Sequence, residues 1–138
     1  MNLYQHTLMD HYRNPRNKGT LDNPDFSSGQ INPSCGDEII MQGCITNNQV
    51  TRLVFDGHGC VITQATASML TEAALNKSIE ELAALDKDFV LAMIGMELGP
   101  TRIRCALLPL EALHTGLANY TKGNTCSIAQ SSCKPLKG

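Results

Sequence analysis

The stretch "EIIMQGCITNNQVTRLVFDGHGCVITQATASML", residues 38–70, changes its hydrophobic period once, at Gly57-His58-Gly59. Before that point Ile39, Met41 and Ile45 fall on one side of an alternating pattern, which predicts a strand over 38–46. Asn47-Asn48 supplies a tight turn, and "QVTRLVFDG" (49–57) reads as the returning strand. After that point "CVITQATASMLTEAALN" runs from 60 to 76 with Ala-rich, helix-favouring content. A hairpin feeding directly into a helix sets the fold class.

Outward from this core, a third strand around Gly29–Asn32 widens the sheet, preceded by "RNKGTLDNPDFSSGQ" as a loop. Residues 2–13 read as a helix, with Tyr4, Leu8, His11 and Tyr12 at helical spacings and Asn14-Pro15 as its stop. Downstream, Ser78 and Glu81 form a capping-box signature that opens a short helix through Leu85. Asp86 or Asp88 caps another through Met96, closed by Gly99-Pro100. The last helix is expected from about Cys105 to Tyr120, either beginning near Cys105 or kinked by Pro109, since an internal proline removes a hydrogen bond. The architecture is α+β: a small antiparallel three-stranded sheet with helices packed on one face. Residues 1–121 form one domain, and 122–138 a flexible tail carrying Cys126 and Cys133.

Composition excludes several functions. The 138 residues carry a net charge of −2, which gives nucleic acid or an anionic membrane no electrostatic attraction. Three Phe, three Tyr and no Trp make a poor base-stacking platform. No apolar run reaches the ~20 residues of a membrane span. The N-terminus lacks a signal-peptide pattern, so a reducing cytoplasm is expected. Six cysteines in that compartment point to metal or sulfur chemistry rather than a disulfide frame.

Cys35 and Asp37 lie on the loop entering the hairpin, Cys60 follows "GHG", and Cys105 precedes the last helix. Such element ends can converge at one end of a small sheet. Helix N-termini near Cys60 and Cys105 would favour thiolate over thiol, and Gly36, Gly57 and Gly59 permit close backbone approach. Three thiolates and a carboxylate suit tetrahedral zinc, or iron within a cluster. The separations of 25 and 45 residues rule out a compact zinc finger and leave the convergence itself open.

"DHYRNPRNKG", "CGD", "GHGCVITQATASML" and "RIRCALL" together resemble the IscU/SufU/NifU N-terminal family of U-type iron–sulfur assembly proteins over about residues 3–121. The resemblance implies a SufE/NifU-like α+β sandwich. It also implies Cys35, Cys60 and Cys105 as cluster or zinc thiols, with Asp37 beside them. "GHGCVITQATASM" and Arg104 before the third cysteine are similar to the SufU branch, whereas the Cys60–Cys105 separation is similar to IscU. "LGPTR" (98–102) stands where IscU has Leu-Pro-Pro-Val-Lys, which weakens the case for a dedicated chaperone.

Two functions follow from the resemblance. In the first, the protein is a scaffold that receives sulfur from a cysteine desulfurase of the IscS/SufS type. It assembles a labile [2Fe–2S] cluster and passes it to apo iron–sulfur proteins or carriers, and the isolated protein holds Zn²⁺. In the second it is a SufU-like zinc-dependent sulfurtransferase, with Cys35 or Cys105 accepting the persulfide sulfur. Arg104 has no lone pair to offer a metal, so Asp37 is the expected fourth ligand. A carboxylate oxygen is a harder partner for a soft iron–sulfur unit than a thiolate, and so favours release.

Two further readings compete: a purely structural zinc, and a cysteine hydrolase using His58 beside Cys60. Cys44, mid-strand and opposite Ile39, Met41 and Ile45, is read as packing; His6, His11 and His114, in helical patterns, are read as surface or helix-packing residues rather than ligands. Cys126 and Cys133 could form a redox pair, relay sulfur, or do nothing. Asp10, Arg13, Asn14 and Arg16 read as a solvated helix end, or, from the resemblance, as part of the desulfurase contact.

Overall fold

The computed structural model describes residues 3–33 and 36–122. The chain runs α1 (Leu3–Arg13), β1 (Phe26–Asn32), β2 (Asp37–Thr46), β3 (Gln49–His58), α2 (Val61–Ala74), α3 (Ile79–Ala83), α4 (Lys87–Ile94) and α5 (Pro100–Lys122). The strands form an antiparallel sheet in the order β1-β2-β3, which is the α+β arrangement expected. The tight turn at Asn47-Asn48 holds both residues at positive φ, 52° and 67°, the conformation that asparagine tolerates best among non-glycine residues.

Helices α5 and α2 pack on the sheet, α5 across β1 and β2 and α2 against β3. Between them lie Ile39, Met41, Leu53, Phe55, Leu70 and Leu113, each no more than 1% exposed. Cys44 points to the other face, where it is buried with Leu21 against Val54. The β3 edge is covered by residues 17–19: Gly19 donates its N–H to the Phe55 carbonyl and Phe55 donates to Asn17. A covered edge cannot template further strand pairing.

The Ser78–Glu81 capping box forms in full, with both reciprocal bonds present. Asp86, not Asp88, caps α4. Two helix ends differ from expectation. Helix α4 stops at Gly95 in the left-handed conformation, before Gly99-Pro100, because a glycine at that position closes a helix without a Cβ penalty. Helix α5 starts at Pro100 and continues through Pro109. Proline at a first helical position is pre-organised and loses no bond there, whereas Pro109 forfeits one internal bond within a long helix that packing supports. Cys105 therefore sits in the second turn of α5 and not at its N-terminus. The expected tail falls beyond α5, outside the described residues, as does Cys35.

Candidate metal centre

Asp37 opens β2, where it pairs with Asn32 of β1, and one residue on Glu38 pairs with His58 at the end of β3. The chain leaving β3 must then cross the mouth of β2 to begin α2. Gly57 makes this possible: its φ is +131°, and a Cβ there would stand 2.1 Å from the Glu38 carbonyl oxygen. Gly59 lies directly over the Asp37 carboxyl, where a Cβ would come within 2.8 Å of Cγ. Both glycines are steric requirements of the site, not loop filler.

Asp37 is 3% exposed. Its Oδ1 accepts the Cys60 N–H at 3.3 Å, and its Oδ2 accepts the Thr63 hydroxyl at 2.5 Å. Cys60 is the N-cap of α2 and its side chain makes no cap bond, which leaves an exposed thiol. Cys105 reaches the same place from α5, buried at 4% exposure. One ligand atom each from Asp37, Cys60 and Cys105 lie within 4.8 Å of one another. Zinc bond lengths place tetrahedral S and O donors roughly 3.5–3.8 Å apart, so small side-chain adjustments close this set on an ion. Two thiols and a carboxylate fit zinc, and they fit iron in a cluster.

The sequence reading named Asp37, Cys60 and Cys105, and the fold brings these three together. It did not name Thr63. Thr63 is fully buried in the first turn of α2, with Oγ1 3.5 Å from Cys60 Sγ and 3.4 Å from the Cys105 carbonyl oxygen. A Cys-x-x-Thr step at a helix start is the signal that could have found it, because a hydroxyl three residues after an N-cap faces back over the terminus.

His58 Nε2 lies 3.5 Å from Glu38 Oε1 at the exposed end of β3. His11 is buried, its Nδ1 2.7 Å from Ser68 Oγ, and His114 Nε2 lies 3.0 Å from the Leu82 carbonyl oxygen. Both are packing histidines. At the end of α1, Asp10 binds the Arg16 guanidinium and the Asn14 amide, and these contacts hold its carboxyl below the usual carboxylate range. Beside Cys60 a cavity of about 390 Å³ opens between α1, α2 and the start of α5, lined by Leu8, Met9, Ile62, Met96 and Arg102 among others.

A sheet end closed by two helices over two thiols and a carboxylate marks a candidate metal centre in an α+β domain. The NifU-like N-terminal domain family model matches residues 3–127, and the chain belongs to that family. It is 37% identical to the zinc-dependent sulfurtransferase SufU of Bacillus subtilis, over 88% of this chain and 94% of that protein. It is 32% identical to the iron–sulfur cluster assembly scaffold protein IscU of Escherichia coli K12, over 85% of this chain and 93% of that protein. The NifU-like N-terminal crystal structure from Brucella abortus superposes with a TM-score of 0.72 at 18% identity, covering 87% of this chain and 95% of the other. At that identity the likeness speaks for the fold.

Proposed function

We propose that this protein is an iron–sulfur cluster assembly scaffold. It takes sulfur from a cysteine desulfurase in the cytoplasm, builds a [2Fe–2S] unit as cargo on Cys35, Cys60 and Cys105, and hands it to apo-proteins or carriers. The observation that carries this reading is the meeting of Cys60, Cys105 and Asp37 donors within 4.8 Å. Asp37 completes the site with an oxygen, which binds a soft iron–sulfur unit less tightly than a fourth thiolate would. Such a site suits delivery over retention.

Before cargo arrives, Cys35, Asp37, Cys60 and Cys105 would hold Zn²⁺, which keeps the thiols deprotonated and together. Sulfur enters when a thiolate attacks the outer sulfur of the desulfurase persulfide. One S–S bond forms, the old one breaks, and the electron pair leaves on the desulfurase cysteine. Of the two described candidate thiols Cys60 is the exposed one, with the apolar cavity at its side. Cys35 and Cys105 remain acceptors in the proposal, Cys105 only once its cover opens.

A second reading is supported by the 37% identity to the zinc-dependent sulfurtransferase SufU: the site keeps zinc and relays sulfur without building a cluster. Anaerobic reconstitution with ferrous iron and sulfide separates the two. A visible chromophore that transfers to an apo-ferredoxin supports the scaffold. Desulfurase turnover stimulated by the zinc-loaded protein, with no transferable chromophore, supports the transferase. Asp37→Ala, Cys35→Ser, Cys60→Ser and Cys105→Ser should each lower bound zinc, read by elemental analysis; unchanged zinc in all four would dismiss the site.

A further inference from the structure

Cys44 is disulfide-bonded, whereas Cys60 and Cys105 are free thiols. Its partner is therefore Cys35, Cys126 or Cys133, the cysteines outside the described residues. Strand geometry excludes Cys35. Strand β2 runs extended from Asp37 to Thr46, so Asp37 and Cys44 stand about 23 Å apart at ~3.3 Å per residue. The two residues back to Cys35 recover at most about 7 Å, and a disulfide needs its Cα atoms within about 7 Å of each other. The bond comes from the C-terminal segment, residues 123–138.

Helix α5 ends where such a bond requires. Along it, Cys105 stands beside Asp37, Thr115 accepts the Gln30 side-chain N–H, and Gly116 lies against Phe26. Further on, burial and then the Asp25 charge raise the Tyr120 phenol. Asp25 donates its N–H to the Gly43 carbonyl and accepts the Ile45 N–H on its carboxylate. The helix thus finishes beside the two neighbours of Cys44. From Lys122, the four residues to Cys126 span up to about 14 Å and the eleven to Cys133 up to about 38 Å. Cys44 is 5% exposed and faces away from α5, beside Leu21 and Val54.

We propose that an oxidation-formed disulfide from Cys44 to Cys126 or Cys133 fastens residues 123–138 to the outer face of the sheet. In the reducing compartment that the sequence suggests, a disulfide of this kind is redox-sensing and not permanent. A peroxide is the oxidant that makes it. The segment's thiolate attacks the peroxide, the O–O bond breaks, and a sulfenic acid and hydroxide result. The Cys44 thiolate then attacks that sulfur, the S–S bond forms and a second hydroxide leaves. Two thiols lose two electrons, and the peroxide becomes two waters. Reduction by a dithiol reverses the bond and frees the segment.

The test uses the full chain, treated with stoichiometric hydrogen peroxide or with a phosphine reductant. Free thiols are then alkylated, and the protein is digested and mapped by mass spectrometry without reduction. After peroxide, the Cys44 peptide should be joined to the peptide carrying Cys126 or Cys133, within a monomer, and the phosphine should separate them. Tryptic cleavage after Lys122 in the folded protein should be several-fold slower after peroxide than after reduction, and Cys44→Ser should lose that difference. If Cys44→Ser does not fold, the double variant Cys126→Ser with Cys133→Ser takes its place, and it should leave Cys44 open to alkylation after peroxide. Cys44 alkylated as a free thiol in peroxide-treated wild type, Cys44 joined to Cys35, or a Cys44-linked dimer each overturns the inference.

Discussion

Gly59 carries more of the centre than a glycine between His58 and Cys60 suggests. A Cβ there would press on the Asp37 carboxyl at 2.8–3.0 Å, and Asp37 is only 3% exposed. Gly59→Ala should therefore weaken zinc binding about tenfold or more with the fold retained, measured by competition with a chelator of known affinity. His11 gives a pH prediction. Burial pushes its pKa down, with Arg16 adding to the effect and Glu72 and Asp10 opposing it. The unfolded chain then binds a proton that the folded protein refuses, so stability is full above about pH 6.5 and falls as pH drops below it, until the lower folded-state pKa is passed. Urea unfolding at pH 7.5 and 5.5 should show a larger loss for the wild type than for His11→Gln; equal losses would contradict this.

Among the elements, one contact of α5 with the sheet is made by an aromatic ring. Phe26 of β1 lies against Gly43 of β2 and Gly116 of α5, and a Cβ at either glycine would come within 2.6 Å of the ring. Gly116→Ala sets two effects against each other. Helix propensity gains about 1 kcal/mol, whereas overpacking a core costs about 1–3 kcal/mol. The ring cannot swing away, since Gly43 bounds its other side, so overpacking wins. The variant should melt about 4 °C lower for each kcal/mol lost. Ser78→Ala breaks the capping box of α3 and should cost about 1 kcal/mol, again read by thermal unfolding. Proline 109 acts at the same scale: it lies inside α5 and does not end it.

Over the whole molecule, the proposed cation site would tie β2, α2 and α5 at one end, while the apolar core spreads through the sheet and both helices. Most of the core residues lie away from these donors, although Cys105 belongs to both. Chelation should therefore lower the melting temperature and leave far-UV circular dichroism unchanged, whereas a purely structural zinc would leave an unfolded chain. Zinc at a hundred times its Kd would contribute about 2.7 kcal/mol by mass action. Collapse of the circular dichroism on chelation would return the structural reading to first place.

The sequence by itself determined the elements and the donor types. The hairpin from residue 38, the capping box at Ser78 and the helix after Cys60 were legible because each rests on neighbours a few residues apart. Cys60, Cys105 and Asp37 were legible as chemistry, by residue type and by family motif. Their meeting was not, since donors 23 and 45 residues apart are joined only by strand register and by α5 crossing the sheet. The start of α5 was misplaced because local signals around Pro109 compete with packing that acts at a distance. Thr63 stayed hidden for the same reason: a threonine in a helix looks like any other until the fold places the Asp37 carboxylate and the Cys60 thiol beside it.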